Sequence, residues 1–115
     1  MSKPVAHYSA SHRAGDLLFV SGQVGIADGS LVEGVQSQTL QALNNVQAVL
    51  GQSDLTLEHV VKCTVFMTDI DNFAVINATY AEVFGDHRPS RSAVAVKALP
   101  LGALVEIEAI AHTSS

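Results

Sequence analysis

The sequence predicts an α+β domain, a mixed sheet of five to six strands carrying two helices on one face, and three observations lead there. Short apolar runs bracketed by turn residues stand near both ends of the chain. Two segments between them repeat their apolar residues every three or four positions, and the order is strand or hairpin, helix, strand, helix, strand, strand. Leu17-Leu18-Phe19-Val20, between Gly15-Asp16 and Ser21-Gly22, has the length of a strand, and a loop is expected after it. Within Ile26 to Leu31, Asp28-Gly29 signals a tight reversal. Val35, Thr39, Leu43, Val46 and Leu50 recur at helical spacing with Gln36, Gln41, Asn45 and Gln47 between them, an amphipathic helix that ends near Gly51. Val60 to Thr68 is β-branched and aromatic. As a strand it sets Val61, Cys63, Val65 and Met67 on one face and Lys62, Thr64, Phe66 and Thr68 on the other. Asp69 and Asp71 offer capping oxygens to a second helix, in which Phe73, Ile76, Asn77, Tyr80, Val83 and Phe84 keep the period up to Gly85. Pro89 stops any continuation, Arg91 to Val96 alternates as a strand, Leu99-Pro100-Leu101-Gly102 turns, and Leu104 to His112 alternates again.

A chain of 115 residues fits one domain, 1–115, which buries roughly 65% of its unfolded surface on folding. It is 48% apolar and only 15% charged, and two helices cannot cover both faces of such a sheet. The bare face and the surplus apolar surface point to self-association. A formal charge of −5, with no basic block and no tryptophan, argues against nucleic acid or anionic lipid as a partner. Cys63 is the only cysteine, so no intrachain disulfide forms and a reducing compartment fits. The first residues lack the apolar stretch of a signal peptide, and no window approaches about 18 consecutive apolar residues. These features predict a cytoplasmic protein without a membrane partner.

In the last strand Val105, Ile107, Ala109 and Ala111 form an apolar face suited to the helices. The opposite face holds Leu104, Glu106, Glu108 and Ile110, which places two carboxylates about 7 Å apart on the bare side. The pattern alone leaves open whether they point into solvent or pair with lysines. Arg91 heads the strand expected to lie beside them, with Pro89 fixing its approach and small residues around it. A guanidinium presents a planar fork of donors matched to a carboxylate, so Arg91 is a clamp for a small organic acid, a surface arginine, or a partner of Glu106 or Asp86. Cys63 has apolar neighbours and reads as a core thiol rather than half of a pair with His59. The histidines are scattered without ligand spacing, so no metal is expected. Asn77-Ala78-Thr79 matches a glycosylation acceptor but sits mid-helix, where a buried or site-lining amide is the better reading. Ser21-Gly22-Gln23 lacks the Gly-x-Ser-x-Gly context of a nucleophile, and no phosphate loop is present.

Several separated blocks in one order carry a resemblance: Tyr8-Ser9, "FVSGQ" at 19–23, "QTLQALNNV" at 38–46, "VKCTVFMTDIDNFAVINATYAEVF" at 61–84, "RPSRSAV" at 88–94 and "LVEIEAIA" at 104–111. In these the chain resembles the RidA/YjgF family of reactive-intermediate imine deaminases over nearly its whole length. The resemblance implies a chorismate-mutase-like fold and a homotrimer whose sheets line a central barrel, with sites in the clefts between subunits. It also implies hydrolysis of 2-imino acids such as 2-iminopropanoate and 2-iminobutanoate to 2-oxo acids and ammonia, without metal or organic cofactor. A trimeric binder or sensor of small 2-oxo acids that does not turn them over is the alternative, and a ribonuclease is disfavoured by the acidic balance. Carried over by position, Arg91 grips the substrate carboxylate and Glu106 holds the attacking water. Tyr8, Ser21, Gly22 and Asn77 shape the pocket, and the Ala93 carbonyl accepts a hydrogen bond from the imine nitrogen.

Overall fold

The computed structural model describes residues 6–114. Strands β1 (Ser11–Ala14) and β2 (Leu17–Val24) form a hairpin around Gly15-Asp16, and Gly15 takes the positive φ that such a two-residue turn requires. β1 was not expected, because a polar tetrapeptide on a sheet edge carries no apolar alternation. β2 runs four residues beyond the expected apolar core, through Ser21, Gly22 and Gln23, where a loop was anticipated. Its partner strand is long enough to hold these polar residues in the ladder, and a bulge at Ser21-Gly22 absorbs the extra residue. β3 (Ile26–Ala27) and β4 (Ser30–Leu31) make a second small hairpin, with Asp28 at φ 53° and Gly29 at φ 82° between them.

Helix α1 (Val35–Gly51) and helix α2 (Phe73–Phe84) fall where the periodicity places them, and both cover the same side of the main sheet. The sheet contains β5 (Val60–Met67), β6 (Ser90–Ala95) and β7 (Val105–His112) in the order β1-β2-β7-β5-β6. α2 serves as the crossover between β5 and β6, so these two run parallel, while β7 lies antiparallel between β2 and β5. The arginine-bearing strand is thus not the neighbour of the glutamate-bearing strand. β5 separates them, and β6 is an edge.

The core forms where Leu43, Val46 and Leu50 of α1 and Ile76 of α2 meet Val65, Met67, Val105 and Ile107. β7 splits as its alternation requires, with Val105, Ile107, Ala109 and Ala111 buried under the helices. β5 does so with one correction. A bulge between Val60 and Lys62 turns Val60 into the core and leaves Val61 exposed, so the inward set is Val60, Cys63, Val65 and Met67. Strict alternation fails there because the ladder carries an extra residue. α1 is tied to the rest by two buried or half-buried amides. Gln38 Oε1 accepts from Leu104 N at 2.8 Å, and Asn45 Nδ2 donates to the Val24 and Ile26 carbonyls at 3.0 Å each. Among the described residues no helix is long and apolar enough to cross a membrane.

Candidate functional site

Directly paired residues in a sheet project to the same face. Arg91 pairs with Cys63, and Cys63 with Ala109, both buried under the helices, so Arg91 projects to the helix side. There α2 receives it. Phe73, Asn77 and Tyr80 stand at helical spacing on the face of α2 turned to β6. Asn77 Oδ1 accepts from Arg91 Nη1 at 2.8 Å, and the guanidinium carbon lies 4.8 Å from the Tyr80 ring centroid and 5.7 Å from that of Phe73. A cation between two ring faces with an amide on one nitrogen has little rotational freedom. Among the described residues no carboxylate occupies it, which removes Glu106 and Asp86 as its partners. The described residues leave the rest of the fork to an anion.

Behind the guanidinium the Tyr80 hydroxyl is buried beside the Cys63 thiol. Burial pushes the Cys63 thiol above its ordinary value, with the Tyr80 hydroxyl and the Arg91 charge pulling the other way. Burial likewise raises the Tyr80 phenol. Cys63 is the core thiol that its neighbours in sequence indicate. His59, four residues earlier, is occupied elsewhere, its Nδ1 accepting from Thr56 N at 3.0 Å. Thr79 of the Asn-Ala-Thr triplet is buried, and Asn77 is engaged with Arg91.

Glu106 projects from the other face of the sheet, in a row with Val24, Phe66 and Val94. The bulge in β2 brings Gly22 against it, so that a Cβ at Gly22 would stand 2.7 Å from the Glu106 carboxyl carbon. Ser21 donates its hydroxyl to the Ser9 carbonyl at 2.7 Å, which ties the segment leading from Tyr8 to the same bulge, and Tyr8 itself is exposed. Burial, and secondarily the neighbouring Glu108 carboxylate, hold the Glu106 carboxyl above its ordinary value. A carboxyl raised in this way is a better proton acceptor and donor near neutral pH than an exposed one.

The residues singled out from the sequence therefore fall into two groups. Arg91, Asn77 and Ala93 belong to the helix side and the β6 edge, with Ala93 packed on the core. Glu106 and Gly22 belong to the bare face, with Ser21 in the adjoining bulge and Tyr8 near it. One chain does not bring the arginine and the glutamate together. Phe73 and Tyr80 were read only as core periodicity, although their spacing with Asn77 on one helix face already marked a surface for a strand residue. A cleft of about 470 Å³ opens beside Arg91 between the end of α2 and the His87-Arg88-Pro89 segment. Nothing in the sequence pattern announced it.

Comparison with known proteins adds three likenesses and a family. A family model described as Endoribonuclease L-PSP matches residues 1–113. A "RutC family protein" of Pyrococcus horikoshii is 43% identical over 113 residues, covering 96% of this chain and 90% of that protein. The crystal structure of Escherichia coli TdcF with bound serine superposes with a TM-score of 0.93 at 36% identity, over 97% of this chain and 92% of that one. The crystal structure of RidA from an Antarctic Psychrobacter gives 0.92 at 36% identity, over 95% and 90%.

Proposed function

The chain belongs to the Endoribonuclease L-PSP family, the group that also carries the names YjgF, RidA and RutC, and from that premise we propose that it hydrolyses small 2-imino acids to 2-oxo acids and ammonia. The observation that carries this reading is the immobilised guanidinium of Arg91, which has two ring faces and an amide around it and, among the described residues, no carboxylate upon it. Such a fork suits the carboxylate of a small acid. The serine bound in TdcF, a 2-amino acid, supports it, since a 2-imino acid has the same carboxylate and a nitrogen on the same carbon.

Arg91 and Glu106 lie on opposite faces of one sheet, so a site using both is assembled between two copies. The β6 edge and α2 of one copy would meet the bare face of the next, and a head-to-tail contact whose rotation closes makes a ring, the homotrimer that the family resemblance implies. In that cleft Arg91 fixes the carboxylate and the Ala93 carbonyl orients the nitrogen. Tyr8, Ser21 and Gly22 wall the opposite side, and Gly22 leaves room for the Glu106 carboxylate. Glu106 takes a proton from water as its oxygen attacks the C=N carbon of the protonated imine. The resulting tetrahedral carbinolamine receives that proton on nitrogen, and as ammonia leaves, its hydroxyl gives its own proton back to the Glu106 carboxylate, then to solvent, and becomes the 2-oxo group. Water is consumed, one C–N bond is hydrolysed and no redox change occurs.

An amino-acid oxidase that generates 2-iminobutanoate in the presence of a trapping agent tests the reading. The pure protein should shorten the lifetime of the imine. Arg91→Ala should raise KM, and Glu106→Gln should lower kcat by about 100-fold with KM nearly unchanged. Equal lifetimes with and without protein would overturn it. Retained 2-oxo acid binding in that case would favour the non-catalytic binder, which the serine-bound relative also suits. The family description favours a ribonuclease as a further reading, but a net charge of −5 opposes it, and salt-dependent RNA cleavage would be its signature.

A further inference from the structure

The cleft beside Arg91 is unlike the rest of this acidic surface. Eleven aspartates and glutamates face six lysines and arginines in the chain, yet two arginines and no acid line the cleft. Arg91 and Arg88 line it together with Tyr80, Ala81, Phe84 and Pro89. Neither arginine is neutralised. Arg91 is held by an uncharged amide, and among the described residues Arg88 has no hydrogen-bond or ion-pair partner. The two are three residues apart in the chain and both line the cleft, so two long side chains can converge on one small ligand there. His87 donates its Nε2–H to the Val60 carbonyl at 2.8 Å, which fixes the ring at the cleft wall. Two uncompensated positive forks on one apolar-floored cleft select a ligand with two acidic groups.

We propose that this cleft receives a second acidic group, so that the preferred substrates are 2-imino dicarboxylic acids of four or five carbons rather than imines with neutral side chains. This deepens the reading above and rests on Arg91 holding the carboxylate next to the imine. Arg88 binds the distal carboxylate, and the apolar floor between the two arginines packs the intervening methylenes. A monocarboxylic imine fills only the Arg91 end.

The test compares 2-oxoglutarate with 2-oxobutanoate by calorimetry at fixed salt, and in parallel the imines generated from D-glutamate and D-2-aminobutyrate by the matching oxidases. A charge-assisted pair corresponds to roughly tenfold in affinity. The wild-type protein should bind 2-oxoglutarate about tenfold more tightly than 2-oxobutanoate. Arg88→Gln should erase that preference and leave 2-oxobutanoate binding unchanged, and Arg88→Lys should retain part of it. Equal binding of both acids by the wild type overturns the proposal, as does a loss in Arg88→Gln shared by both. Turnover of imines without preference for the diacid removes the role of Arg88 and leaves the deaminase reading standing. A binding preference without turnover does the reverse.

Discussion

Gly22 and Gly25, three residues apart around the end of β2, show at residue scale how one missing side chain serves either the site or the fold. A Cβ at Gly22 would meet the Glu106 carboxylate, the far end of a flexible side chain, whereas a Cβ at Gly25 would stand 2.6 Å from Gln38 Cα, in the backbone of α1. Gly22→Ala should therefore cost little stability and lower imine turnover by displacing Glu106. Gly25→Ala should destabilise by about 1–3 kcal/mol, because helix and strand must part. Urea denaturation beside the oxidase-coupled assay separates the two. Glu106 adds a pH dependence of known sign. Its carboxyl is raised in the folded chain, so the stabilising effect of its proton is fully present below the ordinary carboxylate value and is lost as pH rises through the raised one. Glu106→Gln should accordingly unfold at higher urea than the wild type at neutral pH, with the two midpoints converging near about pH 4. A constant gap at every pH would mean that the folded environment of Glu106 does not disfavour its charge.

At the scale of elements, most of what positions the site was legible in the pattern. The helical period from Val35 to Gly51 and from Phe73 to Phe84, and the split of β7 into an apolar and a mixed face, are local properties of spacing. The pattern missed the points where the ladder is irregular. A bulge swaps Val60 for Val61 in β5, and another carries β2 through Ser21-Gly22, because an extra residue in a ladder is decided by the partner strand. Asn45 secures that irregular end of β2. Its two hydrogen bonds, to the Val24 and Ile26 carbonyls, fix the bend after the bulge against α1. Asn45→Ala should cost about 1–3 kcal/mol in urea denaturation, since two half-buried carbonyls lose their donor. Asn45→Asp, which keeps the volume but replaces the donor with an acceptor, should not restore it.

For the whole molecule, the outer face of the sheet carries Val94 and Phe19, each about two-fifths exposed, in the rows that also hold Glu106 and Ile110. If that face meets a second and a third copy, light scattering should give about three times the 12.1 kDa of one chain. Val94→Lys should shift the mass to the monomer and abolish turnover together, and a Val94→Lys monomer with full activity would detach the site from the assembly. The sequence by itself determined the two helices, the apolar face of β7 and the core position of Cys63, since each follows from residue chemistry or from a repeat of two or 3.6 positions. Only the tertiary structure decided that β5 stands between the arginine and the glutamate strands and that their side chains leave opposite faces. It alone paired Arg91 with Phe73, Asn77 and Tyr80 and opened the cleft shared with Arg88. Strand order and side-chain convergence are set by contacts between distant segments, and no local spacing encodes which strand becomes whose neighbour.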